Sequence, residues 1–366
     1  MKVAVNLTWL TPGRVGGSEE YLTRQLLGVD ASAFEVDLYA ERAFGPAHPD
    51  LVDRFGFRPM PVAGNRATRI LLEHTWLAMQ ARGADAIHHG GGTMPVAVGP
   101  SGAASVLTVH DLQYLRHPEY FSAARRRYLA AMVPRSVRRA DVVTVPSTFV
   151  RDHLCEVFDV DVDRVVVVPH GVPPVAVPGP ERIAAARARY GVHERPYVVY
   201  PAITHPHKGH GLLVRMLDHL DDDTMLVLIG GSGSAEAALA SVIEASSQRE
   251  RVVRPGRVPH ADRDALLADA DALLFPSEFE GFGAPVVEAM ALDTPVVCSS
   301  ADALVEVVGD AGVVVDEPDG AAWARAVDEV RRTRTELVVR GRRRRERFTI
   351  EASGAAIASA YRKAAS

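Results

Sequence analysis

Two glutamates, Glu280 and Glu288, bracket the densest run of chemistry-bearing residues in the chain, Pro276-Ser277-Glu278-Phe279-Glu280-Gly281-Phe282-Gly283-Ala284-Pro285-Val286-Val287-Glu288-Ala289-Met290. The apolar run Ala272–Phe275 before it reads as a buried parallel strand, and Val286–Leu292 after it reads as a helix. Pro285 suits a first helical position, where its missing N–H would be unpaired anyway. Gly281 and Gly283 let the backbone pass close to a ligand. The N–H groups and positive dipole end of the helix then face an anion such as a diphosphate. Glu280 lies in the loop, within reach of a substrate. Glu288 lies one turn into the helix, placed to accept hydrogen bonds from ribose hydroxyls. The plainer alternative is a strand–turn–helix corner with ordinary surface glutamates. Pro, Gly, Phe, Gly and two carboxylates at one strand end favour the ligand-binding reading.

Further candidates fall at other strand ends. Gly16-Gly17-Ser18-Glu19-Glu20 follows the first apolar run and precedes the helical pattern Tyr21–Leu27. It fits a close approach to phosphate or sugar, and equally a turn with Ser18 as helix N-cap. His110-Asp111 ends the run Ser105–Val109, where an imidazole can bond a hydroxyl near neutral pH. Thr204-His205-Pro206-His207-Lys208-Gly209 follows the first apolar run of the second half, and Lys208 is placed to neutralise a diphosphate. His205, His207 and His210 are close in sequence but lack a neighbouring carboxylate or Cys, so no metal site is expected. Gly230–Ser234 is a Gly-rich turn, a weak nucleotide signal by itself. Arg254-Pro255-Gly256-Arg257-Val258 ends the next run.

These positions need a scaffold, and the rest of the chain supplies its pattern. Apolar runs recur at Lys2–Leu7, Phe34–Ala40, Asp85–His88, Ser105–His110, Asp141–Val145 and Val165–Val168. A second set lies at Tyr197–Tyr200, Met225–Ile229, Arg251–Arg254, Ala272–Phe275, Pro295–Cys298 and Gly312–Val315. Short β-branched runs alternating with amphipathic segments predict α/β architecture, parallel sheets covered by helices on both faces. Two sets predict two Rossmann-like domains, residues 1–172 and 181–350. The Pro-rich stretch Pro173–Pro180 cannot continue a helix or a central strand and is the expected boundary. A final helix, 351–366, is expected to pack back on the first domain. Ligands in such sheets bind beyond the carboxyl ends of the strands, which is where the candidates above fall.

With 366 residues, 47% hydrophobic and 24% charged, the chain reads as a globular protein of two ordinary domains. A net charge of −5 argues against a nucleic-acid partner. Cys155 and Cys298 fall in opposite halves and in no redox or metal spacing, so the simplest location is the cytoplasm. The basic clusters Arg125–Arg127 with Arg135, Arg138 and Arg139, and Arg342–Arg345, read first as solvated helix faces. The first cluster leaves peripheral contact with the inner face of a membrane open. Oligomeric state is not readable from the chain.

The segment Glu280 to Glu288 resembles the Glu-Gly-Phe-Gly-x-Pro-x-x-Glu motif of the family-4 retaining glycosyltransferases, which have the two-domain GT-B fold. The resemblance extends, less tightly, from about Met1 to Ala365. It implies that Glu280 contacts the donor sugar, that backbone N–H groups of Phe282, Gly283 and Ala284 hold sugar and diphosphate, and that Glu288 holds the ribose. It implies roles for Gly16 and Gly17 against the donor, for His110 beside the donor sugar, for Lys208 on the phosphates, and for Val258 at the base edge. Catalysis would rest on His110, Lys208 and Glu280. Many members carry an Arg six positions before the Lys; Ala202 stands there, and Tyr200-Pro201 with His207-Lys208 is similar to a subgroup including polysaccharide mannosyltransferases. The implied partners are a nucleotide-diphosphate sugar as co-substrate, GDP-mannose or a UDP-sugar, and a hydroxyl-bearing acceptor, with no other cofactor. A nucleotide-sugar epimerase and a non-catalytic sugar-nucleotide-binding protein are the rival readings.

Overall fold

The computed structural model describes residues 1–14, 16–61, 66–96 and 102–366. It divides into two compact units, Met1–Pro173 with Phe348–Ser366, and Pro174–Arg347.

In the first unit the strands are β1 (Lys2–Leu7), β2 (Glu35–Ala40), β3 (Gly56–Pro59), β4 (Ala86–His89), β5 (Ala104–Thr108), β6 (Val142–Val145) and β7 (Val165–Val167). They form one parallel sheet in the order β3-β2-β1-β4-β5-β6-β7. Val3, Val5, Leu38, Val106, Leu107 and Val143 are wholly or almost wholly buried, as strands covered on both faces require. The edge strand β3, Gly-Phe-Arg-Pro, escapes sequence patterning because it is short, mostly exposed and carries Gly and Pro.

In the second unit the strands are β8 (Tyr197–Pro201), β9 (Met225–Ile229), β10 (Val252–Gly256), β11 (Ala272–Phe275), β12 (Val296–Ser299) and β13 (Val313–Val315). Their order is β10-β9-β8-β11-β12-β13, again parallel. Each sheet is therefore built outward from its first strand and then reverses. The reversal lies between β1 and β4 in one unit and between β8 and β11 in the other. Connections leaving the two strands at such a point run on to helices on opposite faces of the sheet, and a crevice opens at its carboxyl edge.

The chain leaves the first unit after Pro173 and re-enters it at Phe348. Val172 pairs with Thr349 in an isolated parallel bridge, and its N–H donates to the Phe348 carbonyl at 2.8 Å. The C-terminal helix, Ile350–Ala365, starts at Thr349, whose hydroxyl accepts from the Ala352 N–H. It lies against the helix Gly17–Leu27 and the sheet of the first unit. The crossing is backbone on backbone: a Cβ on Gly354 would stand 2.0 Å from the Gly28 carbonyl carbon. Tyr361 of the same helix reaches into the sheet, where its hydroxyl bonds His88 Nδ1 at 2.9 Å. No helix among the described residues is long and apolar enough to cross a membrane.

Candidate active site

The loops after β8 and β11 meet at the reversal of the second sheet. The Glu278 N–H donates to the His207 carbonyl at 2.8 Å. Tyr200, fully buried at the end of β8, places its hydroxyl 2.9 Å from the Lys208 carbonyl and 3.1 Å from Ser277 Oγ. Ser299 on β12 donates to the Ser277 carbonyl. Three neighbouring strands thus fix both loops from beneath. Above this base Lys208 Nζ lies 2.5 Å from Glu280 Oε1, with both side chains mostly buried. The ammonium also stands 5.6 Å from the centre of the Phe275 ring, a distance at which a cation is attracted to the aromatic face.

Gly283 caps the following helix, Ala284–Ala291, in the left-handed region at φ 100°. A side chain there would be strained, and its Cβ would stand 2.4 Å from Leu304 Cδ2. The helix starts at Ala284, so Pro285 occupies its second position, one residue later than the sequence suggests. Pro285 has no N–H and the Val286 N–H donates to the Gly283 carbonyl at 3.0 Å, which leaves the Ala284 N–H as the first-turn donor with no acceptor inside the helix. Phe282 is buried and anchors the turn. Glu288 lies one turn in and is also buried, its Oε2 3.3 Å from Arg263 Nη1. Arg263 belongs to the helix His260–Asp269, which precedes β11. Val258 is partly buried in the loop between β10 and that helix.

In the first unit, the helix Gly17–Leu27 is capped by Gly16 with no side-chain hydrogen bond. Ser18 lies inside the helix rather than capping it. Glu19 folds back instead, accepting from the Gly13 N–H at 2.8 Å and meeting His48 Nε2 at 2.8 Å. His110 follows β5 beside this helix, its ring 5.4 Å from Tyr21 and 6.0 Å from Trp9. Its Nε2 lies 2.9 Å from the Gly90 carbonyl, which can only accept, so Nε2 carries the proton and Nδ1 presents a lone pair. Burial lowers its pKa from 6.5, with the Gly90 hydrogen bond and Asp111 acting the other way. This is a neutral imidazole suited to accept from a hydroxyl.

The three histidines around Lys208 separate: His210 packs its ring 4.8 Å from Tyr200, while His205 and His207 stack at 5.9 Å. Arg342 and Arg344 of the second basic cluster are structural, the first held by the Asp293 carboxylate and the second donating to the Val307 carbonyl at 3.0 Å.

A model of the glycosyl transferases group 1 matches residues 183–348, and one of glycosyltransferase family 4 matches residues 15–176. The chain belongs to the family-4 glycosyltransferases. O-antigen chain mannosyltransferase B of Escherichia coli is 31% identical over 220 residues, 59% of this chain and 58% of the relative. This chain therefore spans under two thirds of that relative's length. The GDP-mannose-dependent alpha-(1-6)-phosphatidylinositol monomannoside mannosyltransferase of Mycolicibacterium smegmatis is 27% identical, covering 87% of this chain and 86% of the relative. Among solved structures, Anabaena HepE in complex with UDP and glucose superposes with a TM-score of 0.79 at 20% identity, over 98% of each chain. WaaG, a glycosyltransferase involved in lipopolysaccharide biosynthesis, superposes with a TM-score of 0.69 at 18% identity, over 100% of this chain and 98% of WaaG. The fold is the family's two-domain α/β architecture.

Within that family the departure at Ala202 gains a physical context. The β9 loop presses on it: a Cβ on Gly230 would stand 2.1 Å from the Ala202 carbonyl oxygen. The next glycine makes room for a different cation, since a Cβ on Gly231 would stand 2.7 Å from Arg257 Nε. Arg254 is turned to the Glu236 carboxylate, which also accepts from Thr204 at 2.7 Å. Arg257 and Arg263 carry no local sequence signal. Each becomes visible only when loops and helices from separate segments are brought to one sheet edge.

Proposed function

We propose that this chain is a retaining glycosyltransferase that moves a sugar from a nucleotide-diphosphate sugar to an acceptor hydroxyl. The observation that carries the reading is the Lys208–Glu280 pair held at the strand reversal beside the Gly283-capped helix, with Glu288 buried one turn further on. The diphosphate lies against the helix N-terminus, through N–H groups of Phe282, Gly283 and Ala284. Lys208 turns from Glu280 to the phosphates, and Arg257 adds the charge that Ala202 lacks. Glu280, released from Lys208, accepts from donor-sugar hydroxyls, as the lone pair of His110 does. Glu288, oriented by Arg263, takes the ribose. Val258 borders the base, and the turn at Gly16 and Gly17 serves the donor from the first unit.

In the reaction, the bond from the anomeric carbon to the phosphate oxygen breaks and the acceptor oxygen bonds that carbon. The acceptor's proton passes to the departing phosphate. Preorganised positive charge at the leaving group lowers this barrier. Neither carboxylate serves as a nucleophile, because Glu280 is taken up by donor-sugar hydroxyls and Glu288 by Arg263 and the ribose. That favours attack from the face the diphosphate leaves, with the anomeric configuration retained. The names of the relatives favour mannosyl transfer, with GDP-mannose or a UDP-sugar as donor. No metal is needed in this scheme, and the chain acts in the cytoplasm, at the inner face of the membrane when its acceptor is a lipid.

A panel of GDP-, UDP-, dTDP- and ADP-sugars tests this by thermal shift, followed by product analysis with the donor that binds. A ligand that binds the native state raises the melting temperature. The expected product from an α-linked donor is α-linked, read from its anomeric NMR coupling. A β-linked product, or no nucleotide binding at all, overturns the reading.

A further inference from the structure

A cavity of about 250 Å³ lies wholly within the first unit. It opens over β4 and β5, between the helix Trp76–Gln80 and the helix Ala123–Arg139, and the sugar-transfer scheme gives it no role. Its polar walls are Glu73, His89, Ser105, Arg135, Arg139 and Asp141, and Leu77 and Ile87 give it an apolar side.

Each polar wall has a defined hydrogen-bonding character. The Thr8 N–H donates to Asn6 Oδ1 at 3.1 Å, which fixes the Asn6 amide. Its Nδ2 therefore donates to His89 Nδ1 at 3.3 Å. His89 must then carry its proton on Nε2 and act as a donor there. Glu73, partly buried, accepts from the Thr8 hydroxyl at 2.7 Å and keeps acceptor capacity beyond that bond. Together His89 and Glu73 offer the donor and acceptor that a sugar or polyol hydroxyl needs.

The opposite wall is cationic. Arg135 donates from Nη2 to the Val96 carbonyl at 2.8 Å, while its buried Nη1 has no hydrogen-bond partner among the described residues. Arg139 follows one helical turn on. Among the described residues neither carboxylate of the cavity pairs with Arg135 or Arg139: Asp141 Oδ2 accepts from Ser105 N–H and Oγ, each at 2.7 Å, and Glu73 pairs with Arg69 at 3.8 Å. A buried guanidinium nitrogen without a partner is costly, and an anionic oxygen is the group that satisfies it best.

We infer that this cavity binds a monosaccharide-sized sugar or polyol bearing one acidic group, a phosphate or a carboxylate. The acid meets Arg135 and Arg139, the hydroxyls meet His89 and Glu73, and the ring's C–H face lies on Leu77 and Ile87. The volume is below that of drug-sized sites, which suits a single ring. Within the proposed transfer this molecule is the acceptor. That last step rests on the transferase reading, whereas the binding does not.

The test is calorimetry on the full chain without nucleotide, using glucose, glucose 6-phosphate, myo-inositol 1-phosphate and glucuronate. At least one acid should bind, and glucose should bind roughly tenfold more weakly or worse, the loss of one charge-assisted bond. Arg139→Gln, at an exposed side chain where folding is not at risk, should erase most of that preference, and Arg135→Gln should erase more. Failure of all three acids at millimolar concentration overturns the inference, as does glucose binding equal to the acids or acid binding indifferent to both substitutions. A parallel titration with UDP and GDP separates the two proposals. Nucleotide binding without acid binding sinks this site alone, and acid binding without nucleotide binding sinks the transferase reading alone.

Discussion

Lys208 and Glu280, 72 residues apart in sequence, meet at 2.5 Å across the strand reversal of the second sheet. The pair has a consequence for the order of events. In the proposed transfer the lysine assigned to the diphosphate is already occupied by a carboxylate, so an arriving phosphate would compete with Glu280. The competition keeps two mostly buried charges from standing alone before donor arrives, which would be costly.

Glu280→Gln should therefore act with opposite signs on binding and turnover. With the carboxylate gone, UDP or GDP should bind roughly three- to tenfold tighter, the scale of one charge-assisted hydrogen bond less its replacement. Transfer should fall, since the donor sugar loses its acceptor. Lys208→Ala should lower turnover at saturating donor more than it weakens nucleotide binding. Calorimetry beside steady-state rates checks both. Unchanged nucleotide affinity in Glu280→Gln would remove the competition.

Glu288 and Arg263 should behave as a unit. Glu288→Ala is expected to weaken nucleoside-diphosphate binding by about 1.5–3 kcal/mol, the contribution of a charged hydrogen-bond partner. Arg263→Ala should weaken it too, without touching the ribose, because it leaves the Glu288 carboxylate without the cation 3.3 Å away. Nucleoside and nucleoside diphosphate should lose affinity alike in both variants. A loss confined to the diphosphate would move Glu288 from the ribose to the phosphates.

The parts legible in the sequence are those written in one contiguous stretch. Ala272–Phe275, Gly283 and Glu288 share a strand–turn–helix, so their order already implies their geometry, and the α/β fold was readable from the same β-branched runs. Partners from distant segments were not legible. Arg263 lies on an amphipathic helix like any other, and nothing local ties it to Glu288. Ser18 has the residue type of an N-cap, yet Gly16 caps the helix with no side-chain bond, and the Glu19 side chain turns to the Gly13 N–H of the preceding loop. Edge strand β3 lacks the apolar run that burial imposes on central strands. The cavity beside Arg135 draws on Asn6, Glu73, His89 and Arg135, from four separate elements, and no spacing rule connects them.

The C-terminal helix offers a prediction free of any ligand. Gly28 and Gly354 touch through their backbones, and a Cβ on Gly354 would meet Gly28 backbone atoms at 2.0–2.4 Å. Backbone cannot rotate away as a side chain can, so the helix must shift. Gly354→Ala should lower stability by about 1–3 kcal/mol, the usual cost of overpacking, despite alanine's better helix propensity. Ser359→Ala, on the exposed face of the same helix, should change stability by less than about 0.5 kcal/mol. Urea unfolding of the two variants gives the comparison, and a stable Gly354→Ala would mean that the helix is loosely seated.

The buried histidines predict how the fold responds to acid. Burial pushes His88 down to about 3 and His89 and His210 to about 4, against an ordinary 6.5, and lowers His110 and His170 as well. Below pH 6.5 the unfolded chain takes up protons that the folded chain refuses. Stability should therefore be level above that pH and fall as pH drops through 6.5 towards 4, each histidine adding up to about 1.4 kcal/mol per pH unit. Glu73, whose carboxyl burial raises above 4.5, opposes the trend near the lower end. Asp262 and Asp293, held below 3.8 by hydrogen bonds from Tyr190 and Arg342, add their own loss only at lower pH. Between pH 7 and 5 the slope thus belongs chiefly to imidazoles. Tyr361→Phe separates charge from hydrogen bonding in this window. It removes the hydroxyl 2.9 Å from His88 Nδ1 and leaves the other contact, Nε2 to Thr108 at 2.7 Å, in place. The expected result is a loss of about 1–3 kcal/mol at pH 7 for the orphaned nitrogen, with the slope nearly unchanged because His88 stays buried and neutral. Chemical denaturation at pH 7, 6 and 5 measures both quantities. A flat profile in the parent protein would mean that these histidines titrate normally in the folded state.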